Sequence, residues 1–470
     1  CIVPSGIATD DTTKFFFQDL METRSLVSLY SFENKEKLFS ALDSRTNFSL
    51  LIMTRQCRPA TKGADFAFFI HQVEDLKNEQ RRFTLHASDI ALLNPNTRTC
   101  PTFRSQRDMA LTKTIYQLMP VFIKEGPLEE NSWNITFDQE MFNMTHDSLL
   151  FSTRPQLEVE GWQLVGNVFH KENERYLPLY EGKMIWHFDH RFAHAEEPKG
   201  GTFQRGSSEC LSEEEHSDPQ YLPLPRYWVH ESYMPDYTKN GLKVLLAFRS
   251  ITNPVTLRTI VCSTVPIVPC GNSLTVAMLN GKVSFEVLLL AISISSLVFD
   301  YVARQKIGGV NLNLFILKQL PILPPVIYTT ICPWNSIGTL GNWFLPRALE
   351  LTYTAWDLEP FAKDCGYDGP PFRWSEERRF LLCCELDAAY FHLYGIERDD
   401  VDYIMETFPI VKRRDEQRYR EYRTKRVILE IYDEMKRAME TGVAYKTRLE
   451  PSPADPSVAH EPRTEIDVQV

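Results

Sequence analysis

"LYEGKMIWHFDHRFAH", residues 179–194, holds three histidines, two acids, two bases and four aromatic rings within sixteen positions. How it is read decides between a metal site, a nuclease core, a nucleic-acid-reading surface and a packed strand pair. Strand-like residues run into a Glu181-Gly182 turn. The alternation through Ile185, Trp186, His187 and Phe188 then predicts a second strand. On a strand, His187 and His190 face opposite sides; on a helix, His187, His190 and His194 share one. No H-E-x-x-H pattern accompanies them, so metal is not expected. Glu181 and Lys183 form an E-x-K, half of a metal-dependent nuclease core, but no second acid on a neighbouring strand stands out. Lys183, His187, His190 and Arg191 are side chains able to reach phosphates or base edges, with Trp186 and Phe188 as anchors. A packed strand pair with satisfied histidines stays open at this point.

Outward from this stretch, the chain has 470 residues, a length for two or three domains. Hydrophobic residues make up 43% and aromatics 12%, ample for real cores. The net charge of −11 argues against a wholesale nucleic-acid binder, although binding needs only a local basic face. Such an excess occurs in residues 241–320. Lys243, Arg249, Arg258, Lys282, Arg304, Lys306 and Lys318 stand there against only Glu286 and Asp300. Asn253, Asn311 and Asn313 add amides of the kind that read adenine edges. The run "KRRDEQRYREYRTKR", 412–426, is interleaved with acids and reads first as a solvated helix face, with Arg413, Arg414 and Arg418 as further backbone-contact candidates.

Ten cysteines are scattered without a C-x-x-C pair, which fits reduced thiols in a cytoplasmic protein. The apolar run "VLLLAISISSLV", 287–298, is too short to span a bilayer and predicts a buried helix, so no membrane is expected. Cys1 opens the chain in what reads as a strand feeding a turn, so a preceding portion is expected.

The pattern along the chain predicts an α/β fold. Residues 1–58 read strand, helix, strand, strand, the trailing edge of a doubly wound sheet. Residues 59–160 read as a connecting α/β segment, with a helix over "RDMALTKTIYQLM" that ends near Pro120 and carries Met109, Ile115, Leu118 and Met119 on its buried stripe. Residues 161–325 read as a mixed α+β domain, with a hairpin over "GLKVLLAFRSITNPVTLRTIVCSTVP". Residues 326–445 are helical: Ser375 caps one helix that Gly395 ends, a second runs from about Asp399 to Phe408, and a third covers 415–440. Residues 446–470 read as a disordered tail.

Three segments come in a telling order: "LPLYEGKMIWHFDHRFA", "RSITNPVTLRT" and "LLLAISISSLVFDYVARQKIGGVNLNLFILKQLPILPP". Together they resemble the target-recognition region of large bacterial adenine-specific DNA methyltransferases of restriction-modification and related phage-defence systems. The last is similar to the end of a TaqI-like specificity domain. "ELDAAYFHLYGI" is similar to the helical ending of those proteins, and "IVPSG…FFQDL…LVSLYSFEN…LF" to the sheet edge that follows their catalytic motif.

The resemblance implies a partial Rossmann-like methyltransferase sheet edge, a target-recognition domain and a helical C-terminal region. It implies double-stranded DNA as partner, with possible restriction or defence-system subunits, and S-adenosylmethionine as the methyl donor for a flipped adenine. The F-x-G-x-G turn for that cofactor and the Asn/Asp-Pro-Pro-Tyr/Phe motif for the adenine are both missing; "DGPPF", 368–372, has an extra glycine and sits in the helical region. The resemblance therefore places cofactor binding and catalysis in a part preceding Cys1, and no catalytic residue is expected in this chain. The expected DNA contacts are Lys183, His187, His190, Arg191, Arg249, Asn253 and Arg258, then Arg304, Lys306, Asn311, Asn313 and Lys318. The alternatives are a restriction endonuclease using Glu181 and Lys183, or a DNA-binding specificity subunit without catalysis.

Overall fold

The computed structural model describes residues 1–44, 46–55, 63–195, 210–239, 241–252, 256–281, 284–307 and 310–463. The chain is α/β. It divides into two compact units, Cys1–Ser132 with Tyr301–Pro324, and Trp133–Asp300 with Pro325–Val470.

The first unit is built on strands β1 (Ile2–Pro4), β2 (Leu26–Glu33), β3 (Asn47–Met53), β4 (Ala64–Ile70) and β5 (Phe83–Leu85), in the order β1-β3-β2-β4-β5. Only β2 and β4 run parallel. The near-continuous apolar run of β4 is explained by burial on both faces: Phe66, Ala67, Phe68 and Ile70 are all inside. The helix Lys14–Glu22 adds Phe17, Leu20 and Met21 to the core. The strand, helix, strand, strand order expected for residues 1–58 is present. The boundary expected at residue 58 falls inside this unit, because β4 and β5 complete the same sheet.

The helix Gln106–Leu118 starts where Ser105 Oγ accepts the Asp108 amide at 3.1 Å. Its inward face is Asp108, Thr112, Ile115 and Tyr116, whereas Leu118 is 55% exposed. The expected stripe through Met109 and Leu118 is rotated because polar contacts decide the packing. The Tyr301 hydroxyl donates to Asp108 at 2.8 Å, and the Tyr116 hydroxyl donates to the Gln319 carbonyl at 2.6 Å.

The second unit has two larger antiparallel sheets besides the two-stranded pair Ile331–Cys332 with Asn335–Thr339. One orders β7 (Phe151–Ser152), β11 (Trp228–His230), β10 (Glu174–Pro178), β9 (Val168–Lys171) and β8 (Gln163–Val165). The other orders β13 (Cys262–Val265), β12 (Leu245–Arg249), β14 (Leu274–Leu279) and β6 (Ile135–Asp138). The expected hairpin is the β12–β13 pair, in register from Leu245↔Val265 to Phe248↔Cys262.

Helices follow. Ser284–Ser295 is buried from Val287 through Ser295, as its unbroken apolar composition requires, and Leu297–Arg304 continues from it at a 56° bend. Among the described residues no single helix is long and apolar enough to cross a membrane, although this bent pair passes that test by length and composition. Glu376–Leu393 begins at the Ser375 cap, and Gly395 ends it at φ +67°. Arg398–Glu406 comes next. The helix expected over 415–440 is two helices, Pro409–Tyr419 and Arg423–Thr441, because Arg420 takes a left-handed conformation at φ +61°.

Residues 446–463, expected as part of a disordered tail, pack into this unit. The Glu385 carboxylate, buried, accepts Arg347 Nε at 2.7 Å, the Tyr445 hydroxyl at 2.9 Å, the Thr447 hydroxyl at 2.6 Å and the Arg448 amide at 3.1 Å. A carboxylate in the core needs such donors, and the chain end supplies them.

Candidate nucleic-acid interface

The stretch 179–194 folds differently from the strand pair its alternation predicts. Tyr180 bridges to the Pro269–Gly271 segment, where its amide donates to the Pro269 carbonyl at 2.8 Å and its carbonyl accepts the Gly271 amide at 2.9 Å. Gly182 lies so close to Ser273 that a Cβ would sit 2.9 Å from that residue's carbonyl oxygen. Beyond a short helical turn, Gly182–Met184, the backbone closes a second turn. The Trp186 amide donates to the Asp189 carbonyl at 2.7 Å and the Asp189 amide returns the bond at 3.1 Å, with Phe188 at φ +55°. Alternation fails because this turn places consecutive side chains on its own terms.

Most of the chemistry of the stretch is consumed internally. Arg191 is fully buried and gives its terminal nitrogens to four carbonyls, those of Asp218 at 2.8 Å and of Tyr221, His216 and Thr354 at 3.0 Å. Asp189 accepts the Arg191 amide at 2.9 Å and His216 Nε2 at 3.1 Å. Burial pushes its carboxyl up, but the His216 bond and its other polar partners outweigh burial and leave it below the usual carboxylate range. His190 faces both oxygens of Asp357 at 2.9 and 3.0 Å. In this conformation Arg191 and His190 have no free edge for DNA.

His187 is the exception. Its polar neighbour is the Ile260 backbone, and neither ring nitrogen makes a well-formed hydrogen bond among the described residues. Burial, then the charges of Arg258 and Arg249, hold its pKa well below the ordinary histidine value, so it is neutral at pH 7. It lines a cavity of about 500 Å³ with Trp186, Phe188, Phe192, Trp374 and Phe380. Trp374 stacks on His216 at 4.0 Å, and the Arg379 guanidinium lies 3.7 Å over the Trp374 ring. Arg258 lines the same space, with Nε on Asp300 at 2.9 Å and its other end on the Ser295 carbonyl. Asp387 also lines it; burial pushes its carboxyl up to about 6.

The remaining expected contacts are scattered. Arg249 donates to the Ile185 carbonyl and lies 4.9 Å over the Trp186 ring; burial pushes its pKa down to about 10. Lys183 keeps 28% of its side chain exposed and lies 3.9 Å from Glu181. Asn253 lies outside the described residues. Arg304, Lys306, Asn311, Asn313 and Lys318 belong to the first unit, so the basic run 241–320 is divided between the two units. Arg304 is buried. Lys306 is held by the Leu93 carbonyl and Asn94 Oδ1, and Lys318 pairs with Glu125 at 2.6 Å. Asn311 and Asn313 are exposed and line a smaller cavity of about 300 Å³ in that unit.

The free positive charge is elsewhere. On the helix Pro409–Tyr419, Val411 borders the aromatic cavity, while Arg413, Arg414 and Arg418 are exposed and Arg420 follows at the break. None of these four arginines has an ion pair among the described residues. Interleaved acids concealed them: Asp415 is buried and accepts the Thr424 amide at 2.6 Å, and Glu421 pairs with Arg426 at 3.0 Å. Trp374, just before the helix Glu376–Leu393, and Arg379, Phe380 and Asp387 on it join the site from nearly two hundred residues along the chain, and no local sequence pattern announced them.

Among the described residues no group of three or more His, Cys, Asp or Glu side chains is placed to hold a metal ion. Glu181 sits instead within 3.8 Å of Arg226 and 3.9 Å of Lys183. The Asp10 carboxylate occupies the space beside Gly6, and the Ser5 hydroxyl is engaged with those of Ser31 at 2.8 Å and Ser49 at 3.0 Å.

No family model matches this chain, and no curated protein matches it. Among solved structures it is similar to the type IIG restriction endonuclease BpuSI, at 9% identity and a TM-score of 0.30, over 94% of this chain and 47% of that one. The chain thus spans about half the length of that protein. A likeness of this size decides neither fold nor function.

Proposed function

We propose that this chain recognises duplex DNA as the specificity part of an adenine-N6 DNA methyltransferase of a restriction-modification or related defence system. The observation that carries the DNA-binding part is the helix Pro409–Tyr419. It presents arginines without ion pairs among the described residues, beside an aromatic cavity of the same unit. A guanidinium that the fold leaves unpaired is available to a phosphate, and release of condensed counterions favours that exchange. The adenine-methyltransferase part rests on the order of the three sequence segments. On this reading Arg413, Arg414, Arg418 and Arg420 hold phosphates and set register, while Lys183, Asn311 and Asn313 remain exposed enough to reach DNA. Arg191, His190 and Arg258 act one step behind, by holding the frame. No methyl-transfer step is assigned to the residues of this chain.

The test is selection of a random duplex library on the chain, with sequencing of the retained fraction. Retention at about 50 mM salt that is lost at about 200 mM, with one short adenine-containing site enriched, is the expected result. No retention at the lower salt contradicts DNA binding; retention without an enriched site contradicts the specificity role.

A further inference from the structure

The helix Pro409–Tyr419 presents more than arginines. Its inward side is fixed by Asp415, buried and accepting the Thr424 amide at 2.6 Å, with Phe408 buried just ahead of the first turn. At about 3.6 residues per turn, the row opposite Asp415 runs through Arg413 and Gln417, with Glu416 to one side of Gln417 and Arg414 to the other. All four side chains are exposed. Arg420, also exposed, follows at the left-handed residue that ends the helix. An amide thus stands on the outer face with a guanidinium about one turn away along the chain on either side.

The middle of this row differs from its ends. The Gln417 side chain makes no hydrogen bond among the described residues, and Glu416 beside it has no ion pair among them. Lys412, the lysine of this helix, is taken by Glu406 at 2.8 Å. A phosphate would repel the Glu416 carboxylate, so a surface that only gripped the DNA backbone would gain nothing from it. Base edges offer what both residues accept, the exocyclic amino groups of adenine and cytosine in the major groove. Gln417 can also donate, and a carbonyl with an amino group on one planar head matches the N6 and N7 atoms of adenine together. The helix has 11 residues and is about 16 Å long, enough to cross a major groove about 12 Å wide from one phosphate wall to the other.

We propose that this helix enters the major groove of duplex DNA with Gln417 as the residue that selects an adenine, by bonding to its N6 and N7, while Arg413 and Arg420 hold phosphates. The proposal rests on the DNA-recognition reading and deepens it. Phosphate contacts by the arginines position the helix but carry no sequence information; the amide between them supplies it.

The test selects a random duplex library at about 50 mM salt on the unaltered chain, on Gln417→Ala and on Gln417→Arg, and compares the retained sequences position by position. The unaltered chain is expected to enrich a site with one adenine favoured about tenfold or more over the other bases by this contact. In Gln417→Ala the preference disappears at that position alone. In Gln417→Arg it turns to guanine, because a guanidinium pairs with the O6 and N7 atoms of guanine. Should Gln417→Ala lose its circular-dichroism signature, Gln417→Met, of similar length but without the amide, takes its place with the same expectation. Preferences unchanged by the alanine variant overturn the proposal and leave DNA recognition standing; so does a loss confined to a position that is not adenine. Retention without any enriched site, or no retention, sinks the specificity reading and this proposal with it.

Discussion

Arg191 and Arg414 belong to the same unit and carry the same charge, yet the fold treats them oppositely. Arg191 sits in the chemically richest stretch of the sequence, and every terminal nitrogen it has is given to a backbone carbonyl. Arg414 sits in a run that reads as an ordinary charged helix face, and it is exposed without an ion pair among the described residues. The difference teaches that availability is set by what packs around a charge. Density of polar residues in sequence marks where a fold needs internal glue at least as readily as where it meets a partner.

The sharpest way to break the comparison is Arg191→Ala. It leaves the Asp218, Tyr221, His216 and Thr354 carbonyls without their donor, and a loss of about 3–5 kcal/mol is expected in urea unfolding. A loss below about 1 kcal/mol would mean that the guanidinium is not structural. Asp387→Asn comes next, with the opposite sign. The folded carboxyl titrates near 6 against an ordinary 3.8, so the folded state binds the proton more tightly. Stability contributed by this group is therefore present at low pH and lost as pH rises from 3.8 through 6. At pH 7 the variant should gain up to about 3 kcal/mol, and its stability should depend less on pH across that window. Thermal melts at pH 4, 5, 6 and 7 check both; a destabilised variant at pH 7 would contradict the assignment.

Smaller effects sharpen the same contrast. His187→Leu removes two buried nitrogens that make no well-formed hydrogen bond and should be neutral or stabilising by about 1 kcal/mol, whereas His190→Leu removes the partner of Asp357 and should destabilise. Parallel denaturant curves decide it. The pair Arg413→Glu with Arg414→Glu should change stability by no more than about 0.5 kcal/mol, because nothing in the interior depends on either side chain.

Much of the architecture was legible in the sequence. Ser375 and Gly395 mark the ends of their helix because caps are local chemistry, and the largely apolar 287–298 run is buried as expected, although it is split at Ser296 between two helices rather than forming one. The β12–β13 hairpin followed from two β-branched runs about a turn. What escaped was decided by distant partners. The alternation of 185–188 was undone by a reciprocal Trp186–Asp189 turn. The tail reads as disordered by composition, but Glu385, sixty residues upstream of Tyr445, fixes it. The basic run 241–320 is contiguous in sequence and divided between the two units. The candidate site was half visible: Trp186, His187 and Arg258 lie in the stretches singled out, but the wall contributed by Trp374, Phe380 and Asp387 required the fold.

The most direct test of the central claim is the slope of log affinity against log salt for a short duplex. It would be measured for the unaltered chain and for the Arg413→Glu, Arg414→Glu double variant. If the exposed helix holds phosphates, the double variant keeps its fold and its slope is shallower by about 2, close to one counterion per lost contact. Equal slopes and equal affinities would show that these arginines do not meet DNA, and would contradict the assignment of this helix as the interface.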